Sequence, residues 1–161
     1  MTSATRTVSF AAALLGSALL IVAEFSTLRG VRALQADVLR VSAGGNHGYA
    51  LIVIALLALP VAVWAVLRRS RLAALGLLIA GAAAAYVILA VDRPVLGSTA
   101  PVDQLYASTS AWTGSAIYWE SAGAALLLAS GAVQSLLPGR VRARKASRRD
   151  DSEPQDQITP A

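Results

Sequence analysis

Cysteine is absent from this 161-residue chain, which excludes disulfides, thiolate metal sites, iron–sulfur clusters and cysteine nucleophiles. Charge is scarce too: 14% of the residues are charged and 56% are hydrophobic, with a mean hydropathy of +0.60. Histidine occurs once, and the sequence contains no HExxH, GxSxG or Walker motif. We therefore expect no enzyme activity, no cofactor and no metal, the last because no apolar run carries paired metal-ligand spacing.

Long apolar runs fill most of the chain, and the two in the middle determine its orientation. Residues 50–67 and 72–91 are joined by the turn Arg68-Arg69-Ser70-Arg71. So short a turn joins antiparallel neighbours, and its three arginines cannot lie in hydrocarbon. Because short arginine-rich loops stay in the cytoplasm, the turn is predicted to lie inside the cell.

The predicted fold class is all-α, an integral membrane four-helix bundle. Residues 1–138 form the membrane domain, with spans at about 8–28, 48–67, 72–91 and 118–137. A cleaved signal peptide is the alternative for the first run, although its continuation to Leu28 favours a retained span. Most basic residues fall on the side of the arginine turn, and fewer fall on the other side (Arg29, Arg32, Arg40 and Arg93). This asymmetry predicts a multi-pass plasma-membrane protein with both termini in the cytoplasm.

Two connecting segments lie on the predicted outer side. At the start of residues 29–47 the apolar positions follow helical spacing, which predicts a helix in the outer interface or a continuation of the first span; they are Leu28, Val31, Leu34, Val38 and Val41. The glycines and asparagine of Ser42-Ala43-Gly44-Gly45-Asn46 then predict a turn. The segment after Asp92-Arg93-Pro94 is longer than most helix connections, so it is either functional or loosely ordered. Its aromatic residues and those at the entry of the last span are expected in an outer interfacial belt, namely Tyr106, Trp112, Tyr118 and Trp119.

Small residues and one proline predict how the spans pack. Gly76, Ala80 and Gly81 repeat at near four-residue spacing in the third span, which allows close approach of neighbouring backbones. We therefore expect the third span at the centre of the bundle. Pro60 predicts a bend in the second span.

The last segment, residues 139–161, changes from basic to acidic and has no apolar periodicity. It is predicted to be a disordered cytoplasmic tail whose basic half lies against anionic lipids of the inner leaflet. A nucleic-acid-binding arm is the alternative, but the basic residues flank apolar runs, so lipid is the expected partner and nucleic acid is not.

Ionisable residues recur near the predicted outer ends of the spans: Glu24, His47, Asp92, Arg93 and Glu120. One interpretation is a ring of interfacial ion pairs, in which Arg93 binds Glu24 or Glu120 and fixes the helix ends. The other is a proton or cation site in which Glu24 and Glu120 are the carboxylates and His47 titrates beside them.

Three short motifs carry a resemblance: Asn46-His47-Gly48-Tyr49-Ala50-Leu51, Asp92-Arg93-Pro94 and Tyr118-Trp119-Glu120-Ser121-Ala122-Gly123-Ala124. They resemble small uncharacterised four-span membrane proteins of high-GC bacteria, over roughly residues 20–137. The resemblance implies a plasma-membrane protein with no assigned activity. Two functions stay open: a structural or accessory component, with a membrane-protein partner or as a homo-oligomer, or a proton- or cation-coupled transporter or channel subunit.

Overall fold

The computed structural model describes residues 3–68 and 70–136, so the predicted tail and Arg69 lie outside the described residues. Four helices are long and apolar enough to cross a membrane. They are α1 (Ser3–Phe25), α3 (Ala50–Arg68), α4 (Arg71–Val87) and α5 (Ala116–Leu136). Past α4 the helix continues as a π-helical turn, Ile88–Asp92, and a 3-10 turn, Arg93–Val95. The short helix α2 (Ala43–His47) precedes α3.

The four long helices form a ring in which each packs against two neighbours. α5 packs against α1 and α4, and α3 packs against the same two helices on the opposite side. The outward faces expose large apolar side chains, as a lipid-facing surface does; they include Val8, Val53, Leu57, Leu72, Ile79 and Leu89. Pro60 lies within α3, which continues through it to Arg68.

Small residues bring the helix backbones together at three contacts of α5. A Cβ on Gly16 would lie 2.9 Å from the carbonyl oxygen of Gly123, and one on Gly81 would lie 2.8 Å from Leu128. A Cβ on Gly131 would lie equally close to the backbone nitrogen of Leu78. The prediction that the third span, α4, is central is therefore wrong, because α5 makes the closest contacts with both neighbours and the ring has no central helix.

The expectation of an all-α fold is incomplete, because a three-stranded antiparallel sheet covers one end of the bundle. Its strands are β1 (Thr27–Ala33), β2 (Ala36–Ser42) and β3 (Thr109–Thr113), in the order β2-β1-β3. The interface helix predicted at the start of residues 29–47 is wrong, because this part of the chain is the β1–β2 hairpin. The turn predicted after it is wrong as well, because α2 occupies Ala43–His47. Leu28, Val31 and Ala33 of β1 are buried, although burial does not alternate strictly along the strand because its pairing with β2 is irregular.

The sheet is joined to the helices by a second small core, in which Leu28, Ala43 and Ala116 are buried. We call the sheet, α2 and the segment after the 3-10 turn the cap. Strand β3 belongs to the long loop, which is therefore ordered in part. Trp112 on β3 lies flat against Gly30 of β1, where any Cβ would overlap its indole. Trp112 thus packs within the sheet, whereas Tyr106, Tyr118 and Trp119 are exposed. The interfacial belt of these three residues stays a prediction.

Candidate functional site

Four ionisable side chains from four different elements meet where the cap joins the bundle. They are Glu24 near the end of α1, His47 at the end of α2, Asp92 in the π-helical turn and Glu120 in α5. The three acids are fully buried, and the side chain of His47 is 3% exposed. We call these four residues the polar cluster. Burial of this kind is costly unless a partner compensates the charge.

The imidazole of His47 lies at the middle of the polar cluster. Its Nε2 is 3.5 Å from Oδ2 of Asp92 and 3.8 Å from Oε1 of Glu120. Its Nδ1, on the other side of the ring, is 3.8 Å from Oε1 of Glu24. These distances exceed those of a good hydrogen bond, and neither ring nitrogen has a hydrogen-bond partner among the described residues. His47 therefore lies between carboxylates without being bonded to any of them.

Glu24 holds the start of α3 in place. Its Oε1 accepts hydrogen bonds from the backbone N–H groups of Leu51, at 2.7 Å, and Ile52, at 3.1 Å. The first N–H groups of a helix have no partner within the helix, and the positive end of the helix dipole favours an anion there. A carboxylate of α1 thus caps α3, which ties the two helices together at the cap end.

Local backbone geometry directs His47 inward. Ser42 caps α2 by accepting a hydrogen bond from the Gly45 N–H, at 3.2 Å. Gly48 and Tyr49 then both have left-handed backbone angles, with φ of 66° and 60°, and reverse the chain into α3. Glycine tolerates such angles easily, whereas tyrosine is strained by them by on the order of 1 kcal/mol. The reversal leaves His47 on the inner side of α2.

Gly44 makes room for the polar cluster. A Cβ at this position would lie 2.5 Å from the ring of Tyr49 and 2.7 Å from Oε2 of Glu24. Both distances are shorter than any ordinary Cβ contact. The absence of a side chain at residue 44 therefore allows α2 to lie directly on the carboxylate of Glu24.

Asp92 is oriented by the proline that follows it and by an amide. Pro94 has no N–H for the carbonyl of Ala90 and its ring crowds that carbonyl, so the preceding turn widens into the π-helical form. Asn46 donates a hydrogen bond from Nδ2 to Oδ1 of Asp92, at 2.9 Å. Oδ2 stays without a hydrogen-bond partner and faces His47. Both carboxylate oxygens of Glu120 are likewise buried without a hydrogen-bond partner.

The electrostatics of the polar cluster favour a positive charge within it. Burial disfavours the imidazolium form and alone would lower the pKa of His47, but Glu120, Asp92 and Glu24 outweigh this effect and raise it above its ordinary value of 6.5. Within residues 3–68 and 70–136, no lysine or arginine forms an ion pair with any of the three acids. A single imidazolium cannot balance three carboxylates.

Arg93 lies apart from the other four residues singled out in the sequence. Its side chain is exposed, and the described part of the chain contains no ion pair between Arg93 and Glu24 or Glu120. Asn46 is the contributor that sequence reasoning missed. It directly precedes His47 and could have been found only by pairing α2 with the end of the third span.

An apolar layer closes the polar cluster on the side away from the cap. One helical turn beyond each acid stands a buried apolar residue: Leu20 for Glu24, Ile88 for Asp92 and Ala124 for Glu120. These three residues belong to the main hydrophobic core of the bundle, together with Leu51 and Leu127. The polar cluster is thus enclosed by the cap and by the core, and its chemistry is that of a closed site for a cation.

Comparisons with known proteins do not add a function to this geometry. No protein-family model, curated protein or solved structure matches the chain. The resemblance to small four-span membrane proteins therefore stays a prediction. The function has to be argued from the polar cluster, the cap and the distribution of charge.

Proposed function

We propose that this protein is a multi-pass protein of the plasma membrane that acts as a structural or accessory component of a membrane complex. Both termini lie in the cytoplasm and the cap lies outside. The arginine turn at one end of the bundle supports this orientation, and so does the sequence count, in which ten of the 14 lysines and arginines fall on the side of the turn and the C-terminal tail and four fall on the side of the cap.

The observation that carries the accessory role is the apolar layer beneath the polar cluster. A path for protons or ions needs polar groups or water through the depth of the membrane, and ionisable residues mark such paths. Among the described residues, the buried ionisable side chains all lie at the level of the polar cluster, and Leu20, Ile88 and Ala124 follow directly below them. The buried polar side chains further down are uncharged: Ser9, Ser17, Ser130 and Gln134. This arrangement favours a closed anchor over a transporter.

The cap offers the surface through which such a component would bind its partner. Arg32 and Arg40 are exposed over 55% and 66% of their side chains, and each guanidinium lies within 6 Å of the Trp112 ring. Tryptophan and arginine are the residues most often found at the energetic centre of protein interfaces. Their grouping on an ordered sheet supports a binding role outside the bilayer.

Flux measurements separate this function from transport. The purified chain is reconstituted into vesicles that contain a pH-sensitive dye, and proton entry is driven by a pH gradient with and without divalent cations. We expect protons to enter these vesicles no faster than they enter vesicles without protein. Proton or cation entry that exceeds this rate and is abolished by Glu120→Gln would contradict the accessory role and establish transport.

Assembly is tested in native membranes solubilised with a mild detergent. We expect the 16.6 kDa chain to migrate on native gels in a larger complex, and Arg40→Ala to reduce that complex. Arg93→Ala is the matched control, because Arg93 is an exposed arginine outside the sheet. A chain that migrates alone in every mild detergent tested would contradict the proposal.

A further inference from the structure

The polar cluster has the donor set and the arrangement of a metal site. The nearest oxygens of Asp92 and Glu120 and a ring nitrogen of His47 all lie within 4.8 Å of one another. Acidic clusters are common without any ion, so the carboxylates alone decide nothing. The second observation is His47 itself, a side chain only 3% exposed that points into the cluster with both nitrogens unpaired.

We infer that His47 Nε2, Asp92 Oδ2 and Glu120 Oε1 bind one divalent transition-metal ion of the zinc type. Metal–ligand bonds of about 2.0–2.2 Å place neighbouring ligands of a tetrahedral ion about 3.4 Å apart. The observed separations from His47 Nε2 are 3.5 Å to Asp92 and 3.8 Å to Glu120. These two separations exceed the tetrahedral value by less than about 0.5 Å, and a carboxylate oxygen of Asp92 and one of Glu120 lie within 4.8 Å of each other. Rotation of the two carboxylates by up to about 1.4 Å would therefore bring all three ligands onto one ion, with a fourth position for water.

The surrounding residues orient these ligands as they do in known metal sites. A metal-binding histidine usually donates its other ring N–H to a carboxylate or carbonyl, which fixes the ring and its tautomer. Glu24 Oε1 faces His47 Nδ1 at 3.8 Å, beyond hydrogen-bond distance, and is itself held by two backbone N–H groups. On metal binding the imidazole would close this gap by about 0.8 Å and donate its Nδ1–H to Glu24. Asn46 holds Oδ1 of Asp92, which leaves Oδ2 free to bind the ion. Glu24 and Asn46 are therefore positioning residues.

Charge selects the type of ion. Two carboxylate ligands balance a divalent cation, which removes the cost of burying them without a counter-ion. The imidazole ligand favours zinc and its neighbours over Mg²⁺ and Ca²⁺, which prefer sites made of oxygens only. The ion would connect α2, the π-helical turn and α5, and through Glu24 also α1 and α3. This inference does not depend on the proposed accessory role.

The direct test is the metal content of the full-length chain, purified in detergent through a tag without histidine. We expect up to one equivalent of a transition metal by mass spectrometry in the protein as isolated, or on addition of Zn²⁺ after chelation. Bound Zn²⁺ should raise the melting temperature, and Mg²⁺ or Ca²⁺ should not. Absence of metal both as isolated and after Zn²⁺ addition, or an equal shift with Ca²⁺, would overturn the inference.

The single histidine allows a readout that does not depend on any variant. Because the tag contains no histidine, every imidazole signal of a ¹⁵N-histidine-labelled sample comes from His47. We expect Zn²⁺ to shift the Nε2 resonance strongly while Nδ1 keeps its proton. Unchanged imidazole signals at saturating Zn²⁺ would overturn the assignment even if metal bound elsewhere on the protein.

Variants assign the individual roles. We expect Asp92→Asn and Glu120→Gln to lose stoichiometric binding, and Glu24→Gln to weaken affinity about 10- to 100-fold as a positioning residue does. Asp103→Asn is the matched control, since Asp103 is an exposed acid of the same cap, and it should bind as the parent does. Full affinity in both Asp92→Asn and Glu120→Gln would contradict the ligand set.

Discussion

At the scale of single residues, Glu24 links its own helix, α1, to α3 and lies beside His47 of α2. One of its oxygens caps α3, and the same oxygen faces His47. Removing the carboxylate leaves two buried N–H groups without a partner, which typically costs about 1–3 kcal/mol for each buried group left unpaired. The residue is thus at once a helix cap and part of the polar cluster.

Glu24→Ala is accordingly expected to lower the free energy of unfolding by about 2 kcal/mol or more, measured as loss of thermal stability in detergent. Arg93→Ala should change it by less than about 0.5 kcal/mol, because Arg93 is exposed. A double-mutant cycle between the two positions should show additive effects. Strong coupling between them would mean that the expected ion pair does form, against the geometry described above.

The residues of the polar cluster could be selected from the sequence because topology alone brings the cap-side ends of the spans together. The sequence did not predict how these side chains are arranged in space. Asp92 and Arg93 are neighbours in sequence, yet the π-helical turn before Pro94 buries Asp92 and leaves Arg93 exposed. A difference of one residue in helical register is beyond what hydropathy resolves, and the hydrogen bond from Asn46 depends on α2, which was not predicted.

At the scale of elements, the contact between α4 and α5 depends on two glycines, Gly81 of α4 and Gly131 of α5. Any side chain at residue 81 would meet both the backbone and the side chain of Leu128. Close backbone approach is the main attraction between helices in lipid. Gly81→Leu should therefore destabilise the protein by on the order of 2–3 kcal/mol through overpacking.

The matched control for this substitution is Ala82→Leu, one residue along the same helix on an exposed face. It places the same side chain toward lipid and should leave the melting temperature nearly unchanged. Equal melting temperatures for Gly81→Leu and Ala82→Leu would remove α4 from direct contact with α5.

The hairpin of β1 and β2 shows why its segment was predicted as a helix. Leu34 and Gln35 form the turn with φ of 49° and 68°. Two-residue hairpin turns of this kind usually contain asparagine or glycine, and those residues are the signal by which a hairpin is recognised. Without that signal, apolar residues three or four apart favoured a helical period. Pairing of β1 with both β2 and β3 outweighs the local cost of the strained turn.

Asp37 of β2 forms ion pairs with two exposed arginines of the same hairpin, Arg32 and Arg40. It accepts from Arg40 Nη2 and Arg32 Nε at 2.8 Å each, and these hydrogen bonds lower the pKa of Asp37 below its ordinary value of 3.8. A carboxylate with a lowered pKa stabilises the folded state above the unfolded pKa, and this contribution is lost as the pH falls through the folded pKa. Both arginines lie beside the Trp112 ring.

A variant with Trp112 as its only tryptophan, made by Trp64→Phe and Trp119→Phe, should report this change. Its fluorescence should be constant above pH 4 and change only below 3.8, as Asp37 is protonated and releases the arginines. The Asp37→Asn variant should show, at every pH, the Trp112 fluorescence that the single-tryptophan parent shows after Asp37 is protonated. A transition centred above pH 4 would show that Asp37 does not hold the arginines in this way.

At the scale of the whole molecule, the sequence predicted the helical framework well because its signals are long. Apolar runs of about 20 residues are decisive for membrane spans, and the four described helices fall where those runs lie. The small sheet and the caps depend on contacts between segments far apart in the chain, such as β1 with β3, which local periodicity does not contain. The predicted side of each terminus rests on the distribution of charge.

The orientation in the membrane determines whether the cap and its partner surface face the outside of the cell. Single cysteines test this orientation directly. The chain has no cysteine of its own, so Leu105→Cys in the cap and Ser70→Cys in the arginine turn each provide one thiol. With a membrane-impermeant maleimide on intact cells, Leu105→Cys should be labelled and Ser70→Cys labelled only after permeabilisation. Labelling of Ser70→Cys in intact cells, with Leu105→Cys protected, would contradict the account.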